Sequence, residues 1–463
     1  MIPEHWRSIQ LEHVGTWGSG GTPRRGVDGY YGGPIPWLKI GDLTDGPTGE
    51  SEEKITERAI AESSAKLIPA GAVLVAMYGS IGKLGIATAP LTTNQAIAFC
   101  VPNTRQIGSL YLFYWLMSQR TALFRMGKGG TQLNISQTVL RGLSMPLAPL
   151  PDQHRIVAAI ETHFSRLDAA VASLTRAKAN VKRARASVLK AAVEGRLVPT
   201  EAALARAEGR PYEPASVLLD RILAERKAAW AASGARGKYQ EPVKPETEGL
   251  PGLPEGWCRA TLEQIGDGAR PFAYGVLVPG PDVPDGVPFV RVGDIGEGQV
   301  ADRPEKSIAR AVADKFKRTY LQGGELLLSI VGTIGRVGIA SERLKGANVA
   351  RAVGVLPLGD SVSSQFVVHA IRSPATKHRL AGAAHEVARK TLNMEDVRAA
   401  SVPLPPLPEQ HRIVAEVDRR LSVLDALDTT LDANLARCAR LRQAILKRAF
   451  EGRLVPAEPA NAR

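Results

Sequence analysis

Residues 151–199, PDQHRIVAAIETHFSRLDAAV…VLKAAVEGRLVP, return later in the chain as residues 408–456, PEQHRIVAEVDRRLSVLDALD…ILKRAFEGRLVP. The two stretches align without a gap at a constant offset of 257, and 24 of the 49 aligned pairs are identical. Four shorter segments also repeat: IPEHW from Ile2 with LPEGW from Leu253, IPWLKIGDLTDG from Ile35 with VPFVRVGDIGEG from Val287, MYGSIGKLGIA from Met77 with IVGTIGRVGIA from Ile330, and TQLNI from Thr131 with KTLNM from Lys390. This internal repeat predicts two copies of one structural unit.

Each repeated stretch has the periodicity of a long amphipathic helix that ends at a glycine, Gly195 or Gly452. Roughly 44 residues at about 1.5 Å each would make a helix about 65 Å long, too long to bury its apolar stripe on one small domain. We therefore expect the two helices to pair as an antiparallel coiled coil, which relates the halves by a pseudo-two-fold axis and places a globular domain at each end. The alternative is that each helix packs separately on its own domain. The apolar or small residues predicted at the interface are Ile160, Phe164, Leu167, Val171, Leu174, Val181 and Val188 in the first copy, and Val417, Leu421, Leu424, Leu431, Leu435, Cys438 and Ile445 in the second.

The segments before the two helices are rich in glycine and proline and contain short apolar runs typical of β-strands. We expect each to be a mixed α/β (α+β) globular domain. The predicted organisation is a domain at 1–150, a helix at 151–199, a helical segment with a polar linker at 200–250, a second domain at 251–407, and a second helix with a tail at 408–463.

The composition is that of a globular chain, with 44% hydrophobic and 23% charged residues among 463. Three widely separated cysteines argue against a zinc site or a disulfide framework and fit a reducing compartment. No apolar stretch is long enough to span a bilayer, and the N-terminal sequence lacks the pattern of an export signal. A cytoplasmic location without a membrane partner is therefore expected.

The charge predicts a polyanionic partner. Lysine and arginine exceed aspartate and glutamate by 13, and the pI is about 9.7. Residues 63–150 contain seven basic residues and neither aspartate nor glutamate. Such a run would attract a phosphate backbone without reading sequence, although any single lysine in it is more simply a solvated surface charge.

The glycine-rich loops of each copy offer side chains that can read base edges, since arginine and lysine suit guanine and asparagine and glutamine suit adenine. Equivalent loops differ in chemistry, GGTPRRG against GARPFAYG and TTNQAI against GANVAR, as reading two different short sequences would require. For each residue alone, an ordinary turn or cap is an equally good interpretation, and Asn134 and Asn393 are better explained as helix caps. The DNA-binding candidates are Thr22, Arg24, Arg25, Ser80, Lys83, Thr93, Asn94, Gln95, Lys128 and Gln132 in the first copy, and Arg270, Tyr274, Thr333, Arg336, Asn348, Arg351, Arg389 and Lys390 in the second.

The motifs of DNA-modifying enzymes are missing from the sequence. It has neither a glycine-rich cofactor loop after a strand nor the Asn/Asp-Pro-Pro-aromatic motif of an adenine methyltransferase, and no GxxxxGK[ST] loop that would indicate an ATP-driven motor. His154 and His411 recur at one position, but each stands near a helix start, which favours an interface role over acid/base catalysis. We therefore expect no catalytic residues and no bound metal.

The paired LPxQHRIV helices ending in EGRLVP, the IPWLKIGDL and VPFVRVGDI segments, and the YGSIGK and VGTIGR turns resemble the specificity subunit of type I restriction-modification systems. The resemblance covers nearly the whole chain. It implies two target-recognition domains joined by helices that form an antiparallel coiled coil, and a non-catalytic subunit that selects a bipartite site in double-stranded DNA.

The resemblance also implies the partners and cofactors of the complex. Two modification subunits would bring S-adenosylmethionine and methylate adenine, and a restriction subunit would bring ATP and Mg²⁺ for translocation and cleavage, so this chain itself would bind no cofactor. Three alternatives stay open from the residues alone: a self-sufficient methyltransferase, disfavoured by the missing motifs, a stand-alone sequence-specific DNA-binding protein, and a coiled-coil scaffold without DNA affinity.

Overall fold

The computed structural model describes residues 2–128, 133–234, 237–386 and 390–456. The chain forms two compact units, one made of Met1–Arg176 and Leu431–Arg463 and the other of Ala177–Thr430. Both boundaries fall inside the repeated helices. Each unit therefore contains one globular domain together with a part of each long helix.

Among the described residues of its first half, the chain forms ten short strands and seven helices. The strands are β1 Arg7–Gln10, β2 Gly15–Ser19, β3 Tyr31–Leu38, β4 Gly46–Thr48, β5 Lys54–Ile55, β6 Val73–Ala76, β7 Leu84–Ala87, β8 Thr92–Thr93, β9 Ile97–Pro102 and β10 Ser144–Leu147. The helices are α1 Glu57–Ala61, α2 Ser109–Ser118, α3 Arg120–Met126, α4 Gln137–Arg141, α5 Leu150–Val193, α6 Glu201–Glu208 and α7 Ala215–Ala232. Short 3-10 turns occupy Leu11–His13 and Ile40–Asp42.

The second half repeats this series. Its strands are β11 Cys258–Thr261, β12 Ala273–Tyr274, β13 Val287–Val290, β14 Gly298–Gln299, β15 Ser307–Ile308, β16 Leu326–Ser329, β17 Val337–Ile339, β18 Asn348–Val349, β19 Val353–Leu356, β20 His385–Glu386, β21 Lys390–Thr391 and β22 Ser401–Leu404. Its helices are α8 Arg310–Ala313, α9 Ser364–Arg372, α10 Pro374–Gly382, α11 Met394–Ala399 and α12 Leu407–Phe450, with 3-10 turns at Val292–Asp294, Asp314–Thr319 and Glu342–Leu344.

The sheets of the two units have the same strand order. The five-stranded sheet runs β2-β9-β6-β7-β4 in the first unit and β12-β19-β16-β17-β14 in the second, and in both the pairing is antiparallel except at the final pair. The three-stranded sheets, β5-β3-β8 and β15-β13-β18, and the two-stranded sheets, β1-β10 and β11-β22, also correspond. The structure thus confirms two copies of a mixed α/β domain.

The central strand of each large sheet is buried on both faces. In β6, Val73 and Val75 face a core shared with α2, whereas Leu74 lies in a second core on the opposite face. In β16, Leu326 and Leu327 divide in the same way between two cores. Because side chains alternate between faces, a strand covered on both sides reads as a continuous apolar run.

The two 44-residue helices pair antiparallel. In the first unit, Ile160 near the start of α5 shares a core with Leu446 near the end of α12. In the second unit, Leu189 near the end of α5 shares a core with Val417 near the start of α12. The early part of each helix therefore packs on the late part of the other, as the repeat predicted, and separate packing of the helices is not what the structure has.

The residues predicted for the helix interface differ in burial. The buried ones are Ile160, Phe164, Val181, Val417, Leu421 and Leu431, and the half-buried ones are Leu167, Leu174, Val188, Leu424, Leu435, Cys438 and Ile445. Val171 departs from this pattern, since its side chain is exposed. Both helices end at a glycine with positive φ, 65° at Gly195 and 69° at Gly452, as predicted.

Candidate nucleic-acid interface

The candidate loops of the first unit meet at one edge of its sheets. The Gly21 N–H donates to the Thr93 carbonyl at 2.9 Å, which joins the loop after β2 to β8. The Asn94 N–H donates to the Leu38 carbonyl at 3.0 Å, which adds the end of β3. The turn after β6 joins through the Met77 N–H and the Ala96 carbonyl, 2.9 Å apart. Backbone pairing thus assembles loops that lie up to about seventy residues apart in the sequence.

Polar side chains are exposed at this edge. The Thr22 hydroxyl donates to the side-chain carbonyl of Gln95, and both residues are exposed, as are Arg24 and Ser80. Asn94 is half-buried, and its side-chain oxygen accepts the Ala96 N–H at 3.2 Å. Thr22 and Gln95 therefore present one connected polar surface, whereas Asn94 serves its own turn.

Arg25 lies in a small aromatic and acidic cluster. Its guanidinium binds Glu53 at 2.8 Å and stands 5.1 Å from the ring centre of Tyr31. Lys39 binds the same carboxylate, and hydrogen bonds from Lys39 and Arg25 hold the pKa of Glu53 below its usual value. The exposed Arg25 and the half-buried Lys39 are both held in place by a carboxylate that stays ionised.

In the second unit the residue equivalent to Lys39 is Arg291, which binds Glu305 at 3.1 Å. In both units this residue begins the repeated turn, and its N–H donates to an aspartate side chain of that turn at 2.7 Å. Lys39 and Arg291 were not among the DNA-binding candidates predicted from the sequence. The basic residue shared by LKIGD and VRVGD was the signal that could have found them.

The acid-free run is partly neutralised by acids from outside it. Arg120 pairs with Asp45, and Arg141 lies 3.7 Å from Glu12. The Lys83 ammonium donates to the backbone carbonyls of Ile40 and Gly41, at 3.2 Å each. The run also contributes exposed cations, which are Lys66, Arg105, Arg125 and Lys128.

Two of the predicted DNA-binding residues are buried. Thr93 on β8 and Asn348 on β18 have no exposed surface. The side chain of Asn348 bonds to the Thr319 hydroxyl at 2.7 Å and to the Ala313 carbonyl at 3.3 Å. Both predictions are wrong, because a side chain enclosed within the domain cannot reach a base edge.

The prediction from the sequence that the loop GGTPRRG is equivalent to GARPFAYG is also wrong. The Gly21 N–H donates to the Thr93 carbonyl, and the matching bond in the second unit runs from the Val276 N–H to the Val349 carbonyl at 2.8 Å. Gly21 therefore corresponds to Val276, and the residues matching TPRR are those that come after Val276. Arg270 lies before β12, where it binds the buried Glu325 at 2.8 Å, so it is part of the framework.

The second unit has its own exposed edge. The exposed residues there are Tyr274, Thr333, Arg336, Arg351 and Lys390, of which Thr333 and Lys390 lie on neighbouring loops. The Ala350 N–H donates to the Val290 carbonyl and the Ile330 N–H to the Ala352 carbonyl, at 2.9 Å each, so the loops are joined as in the first unit. By strand register Arg351 occupies the position of Gln95.

Two candidates, Gln132 and Arg389, lie outside the described residues. Asn393 caps α11, with its side-chain oxygen 2.8 Å from the Asp396 N–H, as predicted. Asn134 was predicted as a cap but instead pairs through its backbone with Lys128, and Ser136 caps α4. His154 and His411 are exposed near the helix starts.

Within the described ranges no group of three or more His, Cys, Asp or Glu side chains is placed to hold a metal ion. None of the helices formed by these residues combines the length and the apolar composition that a bilayer span requires.

Comparison with known proteins relates the chain to one family. Residues 3–175 and 280–436, more than half of the chain, match the family described as "Type I restriction modification DNA specificity domain". The chain is 30% identical over 385 residues to the type I restriction enzyme EcoBI specificity subunit of Escherichia coli. The aligned region covers 82% of this chain and 73% of that protein. It is 21% identical over 470 residues to the EcoKI specificity subunit of Escherichia coli strain K12, with 98% and 90% coverage.

Two solved structures share the fold. One, described as "Structural basis underlying complex assembly and conformational transition of the type I R-M system", superimposes with a TM-score of 0.66 at 20% identity and covers 98% of this chain and 99% of that one. The HsdS subunit from Thermoanaerobacter tengcongensis superimposes with a TM-score of 0.51 at 18% identity and 98% coverage of both chains. The chain therefore belongs to the type I restriction modification DNA specificity domain family.

Proposed function

We propose that this chain selects the DNA site of a type I restriction-modification complex, each unit reading one half of a bipartite sequence. One observation carries the proposal. Matching positions on a single loop framework hold different side chains in the two units, Gln95 against Arg351 and Thr22 against Leu277. Two copies of one DNA-binding domain that differ in their exposed loop residues are suited to recognise two different half-sites.

The exposed chemistry supports DNA as the ligand. Arginine recognises guanine through two hydrogen bonds in the major groove, and glutamine recognises adenine in the same way. The exposed cations of residues 63–150 supply contacts to phosphates that position the duplex without reading its sequence.

The long helices would set the distance between the half-sites. One turn of B-DNA is about 34 Å, so two readers on a helical spacer can dock on half-sites about one turn apart. The proposed partners are two modification subunits carrying S-adenosylmethionine and a restriction subunit using ATP and Mg²⁺. On this proposal the chain itself performs no catalysis and binds no cofactor.

Exchange of one domain tests independent reading. Residues 1–150 are replaced by the corresponding domain of a relative, the chimera is expressed with its modification subunits, and methylated sites are mapped across the genome. We expect one half-site to change and the other to be kept. A change in both half-sites contradicts the proposal.

Lengthening the helices tests their role as a spacer. Insertion of a few residues at the middle of both α5 and α12, so that the antiparallel helices stay in register, is expected to change the number of base pairs between the half-sites while the half-sites stay the same. An unchanged spacing contradicts this part of the proposal. Tight, specific DNA binding by the isolated chain would instead favour a stand-alone DNA-binding protein, and absence of salt-sensitive binding with all partners present would favour a scaffold.

A further inference from the structure

The end of β12 and the loop after it carry exposed apolar side chains. Tyr274 is 51% exposed, Leu277 50% and Val278 78%. Together these three side chains form an apolar tip, which we define as residues 274–278. Because exposure of aliphatic side chains to water is unfavourable, a tip of this kind indicates a surface that is covered in the functional complex.

The apolar tip is held at its middle and just beyond its end. The Val276 N–H bonds to the Val349 carbonyl, and a β-carbon at Gly275 would lie only 1.8 Å from that carbonyl oxygen. Beyond the tip, the Lys306 ammonium donates to the Gly280 carbonyl at 2.7 Å. Leu277 and Val278 are thus presented by an anchored loop, which lowers the entropy lost when they bind.

The apolar tip lies at the edge proposed to face DNA. Counting from the paired residues Gly21 and Val276, Leu277 matches Thr22, whose hydroxyl contacts Gln95 in the first unit. In the second unit the neighbouring exposed side chain is Arg351, whose N–H bonds to the Val276 carbonyl. Along the backbone, an aliphatic residue therefore neighbours an arginine where the first unit has a threonine beside a glutamine.

We propose that Leu277 and Val278 read the C5-methyl group of a thymine in the half-site of the second unit. This proposal rests on the proposed function and deepens it. Thymine's methyl is the apolar group that base pairs present in the major groove, and aliphatic side chains recognise it by contact. The neighbouring Arg351 suits the hydrogen-bonding edge of an adjacent guanine or a phosphate.

The test uses the assembled complex and the site found by methylation mapping. Each thymine of the half-site is replaced in turn by deoxyuridine, which lacks only the methyl group, and binding of the duplexes is measured by competition. We expect one replacement to weaken binding by the wild-type complex about fourfold, the effect of one buried methyl group. The double variant Leu277→Ser, Val278→Ser is expected to bind the unmodified duplex about fourfold or more weakly and to show no further loss with deoxyuridine.

The control is Val243→Ser, because Val243 is a similarly exposed valine of the same unit that lies outside the candidate edge. It is expected to leave both measurements unchanged. Deoxyuridine in the half-site of the first unit is expected to weaken the double variant and the wild type equally.

Several results would overturn the inference while leaving the proposed function intact. They are a second half-site without any A·T pair, no sensitivity to deoxyuridine, and sensitivity that persists in the double variant. Loss of the modification subunits by the double variant, with its DNA preference unchanged, would show that the tip contacts protein instead. A complex with no bipartite site would contradict the proposed function itself.

Discussion

Trp6 of the first unit and Trp257 of the second occupy the same position in the repeated segments IPEHW and LPEGW. Their environments differ. The Trp257 indole donates to Glu409 at 2.9 Å, and the other oxygen of that carboxylate accepts the Glu201 N–H at 2.8 Å. The Trp6 indole nitrogen is buried and has no hydrogen-bond partner among the described residues. Asp152, which matches Glu409, binds His5 at 3.0 Å instead.

The difference arises from the segment that comes after α5. In the second unit the chain continues into α6, whose Glu201 is 3% exposed and binds Arg210 and Arg412 at 2.7 Å each. These two arginines hold the pKa of Glu201 below its usual value against the opposing effect of burial, whereas burial raises the pKa of Glu409. One repeated framework thus supports a buried ionic network in the second copy, while the matching carboxylate of the first copy, Asp152, binds the exposed His5 and the neighbouring Arg155.

The largest expected effect comes from breaking the network in one unit and its counterpart in the other. Glu409→Ala removes the acceptor of two buried donors, and each buried donor left without a partner costs about 1–3 kcal/mol. We expect a loss of about 2–4 kcal/mol in the unfolding free energy of the second unit, measured by hydrogen exchange at its core strands. Asp152→Ala is the matched control and is expected to cost the first unit about 1 kcal/mol or less. Equal losses of unfolding free energy in the two variants would mean that Glu409 and Asp152 stabilise their units equally.

The next effect is a pH dependence confined to the second unit. His369 is 1% exposed and lies 3.0 Å from Asp418, and burial lowers its pKa from the ordinary 6.5 to about 4. The matching pair in the first unit is Tyr114 and Glu161, where burial raises the pKa of the tyrosine to about 12. Below pH 6.5 the unfolded histidine takes up a proton that the folded one does not, so stability falls as the pH falls.

We expect acidification from about pH 6.5 to about pH 5 to cost the second unit about 1–2 kcal/mol through His369. Hydrogen exchange of each unit across this pH range measures the loss, and His369→Gln is expected to reduce it. The first unit, with a tyrosine at this position, is the internal control. An identical pH dependence in wild type and variant would assign the acid sensitivity to other groups.

The smallest effect concerns two ion pairs that the repeat makes equivalent. Arg442 pairs with Asp168 in the first unit, and Arg185 binds Asp425 at 2.7 Å in the second. Arg442 also lies over the ring of Phe164, 4.3 Å from its centre. Exposed ion pairs contribute little, but the aromatic contact adds a second favourable term.

We expect Arg442→Ala to destabilise the first unit by about 1 kcal/mol and Arg185→Ala to destabilise the second by about 0.5 kcal/mol. Urea unfolding followed separately in each unit would measure both losses. The neutral control is Arg437→Ala, because Arg437 is an exposed arginine of α12, the helix that contains Arg442. A larger loss for Arg185→Ala, whose guanidinium also lies 3.5 Å from Asp428, would show that the aromatic contact adds less than this second carboxylate.

Much of the fold could be predicted because its signals are local or repeated. The spacing of apolar residues indicates a helix wherever it occurs, and the shared segments place both domains before the details of either are known. The polar residues at the loop edge were harder to judge. Thr93 and Gln95 stand two positions apart, yet one is enclosed and the other exposed, since burial depends on which strands pair with β8.

The sequence by itself determined the duplication, the long paired helices and the family of this protein, because identity at a fixed offset and helical periodicity need no knowledge of distant contacts. Only the tertiary structure decided that Val276, and not a residue of GARPF, corresponds to Gly21, and that Arg270 is a partner of the buried Glu325. The physical reason is that strand register depends on hydrogen bonds between segments far apart in the chain, and that register decides which loop side chains reach the surface.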